Sequence, residues 1–291
     1  MGEKVIYWTI AIMEGVFPLT ELKYKFTNDI LFKLLFVRNP ELLKRLVAAL
    51  LAIPYESIGE FAVANPETPP EAMGEKFCRL DINMTVNGQK VDLEIQVDDE
   101  GDYPERSLYY WAREFSSALG EGGKYIELPR TIVVSIVAFK MFECAEFHSE
   151  FHALEVKRHE ALTDRFCMHF YELPKLPKIV SKDDGLLKLW LTLFNAKTEE
   201  ELKKIEAMEV PMMTEAIGAY RHVTATEEFK ELERLRSRAR HNEASALGNA
   251  ERMGAEKERE KWQGVIADKD AVLAKQAALI AELQSRLGEK R

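Results

Sequence analysis

The chain is poor in cysteine and has no paired-cysteine motif. Its 291 residues hold three, Cys78, Cys144 and Cys167, widely spaced and odd in number. Without a CxxC or a Cys/His zinc spacing, a disulfide framework and a structural zinc module are both disfavoured, which suits a reducing cytoplasm. Excess basic charge is also missing. The formal net charge of −9 argues against a protein that coats DNA with its whole surface. A local basic rim is still allowed: between residues 21 and 45, Lys23, Lys25, Lys33, Arg38, Lys44 and Arg45 outnumber Glu21, Asp29 and Glu41. No apolar run is long enough to span a membrane. Residues 5–13 are mostly apolar, but Glu3 and Glu14 interrupt the stretch and no small-x-small cleavage site follows. An ordinary packing segment is the expectation there. The histidines at 148, 152, 159, 169, 222 and 241 form no HExxH or comparable spacing; His148 and His152 are four apart, in a segment read as non-helical.

What the chain does have is a hydrophobic content of 46%, enough for a real core. Asn28 or Asp29 can cap a helix beginning near Ile30. Apolar residues then recur at helical spacing through Leu50, broken by Asn39-Pro40 into two helices. Pro104 opens a further helix carrying Arg106, Tyr109, Tyr110 and Trp111, and Gly120 closes it. Residues 131–139 (TIVVSIVAF) are a nearly continuous, β-branched apolar run, read as a central strand buried on both faces. Residues 147–156 read as an edge strand and 165–171 as another. Strands, helix and buried strand in this order predict an α/β mixed sheet flanked by helices.

The most informative stretch is a hairpin. Residues 80–86 (LDINMTV) and 89–97 (QKVDLEIQV) alternate apolar and polar side chains around Asn87-Gly88, the strongest short signal for a two-residue turn. If these two are the loop, Ile82 meets Leu93 and Met84 meets Val91 on the apolar face. On the other face Asp81 lies opposite Glu94. Opposed residues hold their Cβ atoms about 4.5–5.5 Å apart, where like charges destabilise a sheet. A hard divalent cation between the carboxylates would relieve that. A solvated acidic surface is the competing reading, and Asp92, Gln96 and Asp98 share the face.

From about residue 182 the chain reads as helical. Residues 227–261 carry nine acidic and nine basic side chains, the pattern of a solvated helix or linker. Ile266, Leu273, Ile280 and Leu287 then recur every seven residues, with Trp262, Lys269, Gln276 and Leu283 on the second seam. That predicts a coiled coil over 262–291.

Asp81 followed by Glu94-Ile95-Gln96 resembles the Asp…Glu-x-Lys core of the PD-(D/E)XK nucleases, with Gln in place of Lys. More closely, the chain resembles the Rpn family of recombination-promoting nucleases and transposase-related proteins. The matching segments are residues 28–36 (NDILFKLLF), 80–82 (LDI), 93–96 (LEIQ), 104–111 (PERSLYYW) and 172–175 (ELPK), in order, over about residues 24–195. The resemblance implies a PD-(D/E)XK-like α/β fold at 24–195, after an N-terminal segment at 1–23 and before a charged helical region at 196–261. It implies Mg²⁺, with Mn²⁺ or Ca²⁺ as substitutes, held by Asp81, Glu94 and the Ile95 carbonyl. Gln96 would orient water, although it adds no charge and cannot act as a base. Asp29 would be an acidic residue facing the site, or a simple N-cap. Arg106 and Lys33 would be phosphate contacts, against a surface salt bridge for Arg106 and a solvated helix position for Lys33. Tyr109, Tyr110 and Trp111 read as packing residues.

Two functions of different class follow. One is a metal-dependent DNA endonuclease of low sequence preference that promotes recombination, with ribonuclease activity left open. The other is a catalytically weak or inactive DNA-binding scaffold. Either would be a homo-oligomer joined through the C-terminal coiled coil, cytoplasmic and without a membrane partner. No helix-turn-helix or zinc finger is present to read bases.

Overall fold

The computed structural model describes residues 20–64 and 82–288. Asp81 and Cys78, residues 1–19 and the last three residues lie outside that set. The chain divides into two compact units, Met1–Glu233 and Arg234–Arg291.

The first unit opens on α1 (Asp29–Arg38) and α2 (Pro40–Leu50). Asn28 is the cap of α1: its Oδ1 accepts from the Leu31 N–H at 2.9 Å. Asn39 joins the two helices, with Pro40 opening the second, where its missing N–H costs nothing. β1 (Phe61–Val63) precedes the predicted hairpin, β2 (Ile82–Val86) and β3 (Gln89–Gln96). The turn is as the sequence predicts. Asn87 and Gly88 have φ of 49° and 75°, the pair of positive values that a tight, correctly twisted hairpin requires. Ile82 faces Leu93, Met84 faces Val91 and Val86 faces Gln89. The Asn87 side chain also clamps the turn, accepting from the Gly59 and Glu60 amides at 2.9 and 3.1 Å and donating to the Ser57 carbonyl at 2.9 Å. A Cβ on Gly88 would meet nothing within 4 Å, so Gly88→Ala carries only the conformational cost of the left-handed region. It should lower stability by about 1 kcal/mol, read as a shifted urea midpoint with unchanged slope.

α3 (Tyr103–Ser117) connects the hairpin to β4 (Thr131–Val137), followed by β5 (His148–Phe151) and β6 (Phe166–Glu172). The sheet order is β1-β2-β3-β4-β6-β5. β4 runs parallel to β3 and to β6, and the other pairs are antiparallel. Every residue of β4 is buried, as a continuous β-branched run at the centre of a two-sided sheet should be.

One face of the sheet packs Val133, Val137, Met168 and Phe170 against Tyr103 of α3, with Trp111 and Phe166 beside them. On the other face, the Tyr171 hydroxyl donates to the Leu50 carbonyl at the end of α2. α4 (Leu186–Asn195) sets Trp190 and Phe194 against Phe32 and Phe36 of α1, with ring centroids 5.8–6.0 Å apart between helices. α5 (Glu199–Glu206) and α6 (Pro211–Ala225) add buried Leu202, Ile205, Met213 and Ile217. The last helix, α7, runs Glu227–Gly288. Its first turns correct the reading of 227–261 as wholly solvated: Phe229 and Leu232 are buried, and Phe229 packs edge-on against Tyr24.

The second unit is the remainder of α7. Trp262, Ile266, Leu273 and Ile280, the heptad positions, are each more than half exposed. No helix among the described residues is long and apolar enough to cross a membrane.

Candidate active site

Glu94 stands near the end of β3, beside Ser135 of β4. The alternation Asp92, Glu94, Gln96 predicts one polar face, and the competing sequence reading makes that face wet. The structure corrects this: Asp92 is 3% exposed and Glu94 8%. α3 lies over this face, since the loop after β3 turns into a helix whose first residue, Tyr103, is completely buried. Alternation reports which side chains share a face; it does not report what covers that face.

The Tyr103 hydroxyl lies 3.0 Å from Glu94 Oε2 and 2.9 Å from Ser135 Oγ. A phenol has one proton. Given to the carboxylate, it leaves the phenol oxygen to accept from Ser135. Burial, and then the charge of Glu94, pushes the Tyr103 phenol well above 10, with Asp92 adding to the effect. Tyr103 is therefore a fixed donor that aims the Glu94 carboxylate. Arg106, one turn further along α3, stacks its guanidinium 5.1 Å over the Tyr103 ring and pairs with Glu100. Its Nη2 is buried with no hydrogen-bond partner among the described residues. The salt bridge foreseen as the alternative role for Arg106 is present, and it still leaves one donor of the fork unused.

Gln96 is half-buried and turned toward its own loop, its Nε2 donating to the Asp98 carbonyl at 2.9 Å. The even-numbered residues of β3 bond to β4: Lys90 N–H reaches the Arg130 carbonyl, and the Gln96 carbonyl receives Ala138 N–H, both at 2.9 Å. In a sheet the intervening residues face the other neighbour. The Ile95 carbonyl is thus directed to the β2 side, beyond the last described pair, Ile82 with Leu93.

Asp29 occupies the first turn of α1, half-buried, with Oδ1 accepting from the Ile30 N–H at 2.9 Å. Because Asn28 performs the capping, the simple N-cap reading of Asp29 gives way. Lys33, one turn on, is 3% exposed, which corrects its reading as a solvated helix residue. The aromatic run after Arg106 divides. Trp111 packs, stacking on Phe115 at 4.8 Å and donating to the Thr131 carbonyl at 2.9 Å, whereas Tyr109 is 61% exposed.

The 172–175 segment ends β6. Glu172, 1% exposed, accepts from the Met141 and Phe142 amides at 2.6 and 3.3 Å and from Lys175 Nζ at 2.6 Å, while Lys175 also donates to the Phe142 carbonyl. Three hydrogen bonds thus tie the loop after β4 to the end of β6, and the Glu172–Lys175 pair joins the two side chains that make them.

The histidines missed by sequence spacing meet across the sheet. His148 of β5 and His169 of β6 approach to 3.1 Å, Nε2 to Nδ1. Burial pushes His169 down to about 4, so both rings are neutral near pH 7 (burial lowers His148 as well). The only advance signal was strand adjacency, which local patterns do not carry.

No curated protein and no solved structure matches the chain. A family model described as PD-(D/E)XK nuclease family transposase matches residues 26–250. That span holds the mixed sheet, the Glu94-Ile95-Gln96 strand end and the α3 cover, so the chain belongs to the PD-(D/E)XK nuclease family of transposases.

Proposed function

We propose that the protein is a metal-dependent endodeoxyribonuclease that cleaves DNA with low sequence preference, as an enzyme promoting recombination. The observation that carries this is the buried Glu94 carboxylate, aimed by Tyr103 and sharing its face with buried Asp92. Burying carboxylates is costly unless cations or donors compensate them. The donor set is carboxylate and carbonyl oxygen, which suits Mg²⁺, Mn²⁺ or Ca²⁺. Asp81, Glu94 and the Ile95 carbonyl would hold the ion. When bound, it would supply Lewis-acid polarisation of the scissile phosphate and a water of lowered pKa.

The chain's own residues do the rest. Tyr103 donates to Glu94 and keeps its carboxyl group pointed at the site. Gln96 orients the attacking water through its amide once released from the Asp98 carbonyl, but takes no proton from it. Asp29, in the first turn of α1, is the proposed further acidic group. Arg106 is the proposed phosphate contact beside α3, its guanidinium swinging out from the Tyr103 ring to reach DNA, and Lys33, buried in the free protein, is the second, uncovered as DNA binds. The exposed heptad positions of α7 support a homo-oligomer formed through a coiled coil over 262–291. The small cysteine count suits a cytoplasmic setting.

Supercoiled-plasmid relaxation tests this. Nicking with Mg²⁺ or Mn²⁺ and none in EDTA is expected. A folded protein inert with every ion would instead favour the DNA-binding scaffold. Tyr103→Phe keeps the ring and loses the hydroxyl that orients Glu94. Removing such a support weakens metal sites by about 10–100-fold. The Mg²⁺ concentration giving half-maximal nicking should rise by that factor, with activity largely restored at saturating metal.

A further inference from the structure

A second cluster of ligating groups lies on the sheet face opposite Glu94, at the β5 edge. The antiparallel register of β5 and β6 sets Glu150 opposite His169 and His148 opposite Tyr171. One ligand atom each from His148, Glu150 and His169 lies within 4.8 Å of the others. The two imidazole nitrogens, 3.1 Å apart, are close to the roughly 3.3 Å that separates ligands around a tetrahedral zinc with Zn–N of about 2.0–2.1 Å. Glu150 is exposed, so a turn of its side chain closes the remaining gap.

The surroundings hold the ligands as a metal site requires. His169 presents Nδ1 to His148, while its Nε2 lies 3.3 Å from Cys167 Sγ. A proton on Nε2 directed at that sulfur leaves the Nδ1 lone pair for a metal, the usual way a partner behind the ring selects the tautomer. The His148 ring is stacked on Tyr171, centroids 4.4 Å apart. His152 Nε2 lies 2.7 Å from Glu150 Oε1, supporting the carboxylate from behind. His148, Glu150 and His169 also line one cavity of about 170 Å³. Arg130 lines the same cavity, its Nε buried without a hydrogen-bond partner among the described residues. Three protein ligands facing a cavity are the arrangement of a zinc site with an exchangeable fourth position.

We propose that His148, Glu150 and His169 form a transition-metal site, selective for Zn²⁺ over Mg²⁺, whose open position faces the Arg130-lined cavity and takes water or a small anion. Two imidazoles and one carboxylate favour zinc over the hard ions proposed for Glu94. Cys167 is a positioning residue behind His169 and does not ligate. The site is separate from the nuclease reading, and its test reads binding alone.

Zn²⁺ is titrated into the full chain by competition with a chromophoric chelator, with millimolar Mg²⁺ present throughout to occupy oxygen-ligand sites. One Zn²⁺ per chain is expected. His148→Ala and Glu150→Gln, both on the edge strand β5, should each weaken it at least 100-fold with an unchanged melting transition, and Glu94→Gln should leave it unchanged. Co²⁺ in place of Zn²⁺ should give visible d–d bands without a thiolate-to-cobalt charge-transfer band. Cys167→Ser should weaken binding about tenfold and leave that spectrum unaltered. Zinc affinity indifferent to His148→Ala and Glu150→Gln would overturn the site. So would a charge-transfer band abolished by Cys167→Ser, which would move the metal to Glu150, His152 and Cys167.

Discussion

Glu94→Gln should leave the protein folded and reduce metal-dependent nicking by at least about 10³-fold, roughly 4 kcal/mol of transition-state stabilisation. The substitution keeps size and shape. The Tyr103 hydroxyl, 3.0 Å from Glu94 Oε2, can still donate to an amide oxygen, in a weaker bond without charge assistance. What disappears is the charge that would bind a divalent ion. Stability should hold or rise slightly, because Asp92 is buried on the same face and removing one of two neighbouring buried carboxylates relieves repulsion. Parallel melting curves and plasmid relaxation by the two proteins check this. A loss of activity accompanied by a collapsed melting transition would count against a role for Glu94 in the chemistry.

Glu172→Ala should act in the opposite sense, on the fold. It strips the acceptor from the Met141 and Phe142 amides and from Lys175. Two part-buried amides left without their acceptor, and a buried ammonium left without its counter-charge, are together among the few single changes that cost about 3 kcal/mol or more. The loop after β4 then loses its tie to β6, and since β4 sits between β3 and β6, the damage should spread to the centre of the sheet. The expected result is a urea midpoint lowered by that amount, and Glu172→Gln should recover part of the loss by keeping one acceptor oxygen. An unchanged midpoint would show that the loop is held by other means.

Much of the architecture was legible because it rests on local chemistry. Asn87-Gly88 specifies a turn with two positive φ values, and that turn sets the β2–β3 register. The β-branched run of β4 reads as a strand buried on both sides, and it is one. Asn39-Pro40 divides α1 from α2 in the predicted place. What the pattern could not supply was who packs on whom. Glu94 looked solvated because alternation does not show that α3 folds back over its face. Lys33 looked solvated because charge is a poor guide to burial inside an otherwise apolar helix. Phe229 and Leu232 were hidden in a charge-dense stretch, although they pack into the first unit. His148 and His169 are distant in sequence and adjacent in space only because β5 pairs with β6. The capping of α1 was narrowed to two residues by sequence, and the hydrogen bond to Leu31 selects Asn28.

In the proposed mechanism Glu94, with Asp81, holds the ion that cuts DNA. The most direct test is the nicking rate of supercoiled plasmid by Asp81→Ala beside the wild type, across a Mg²⁺ titration. The expected result is metal-dependent nicking by the wild type and none by the variant at any Mg²⁺ concentration. Equal nicking by both proteins would contradict that mechanism.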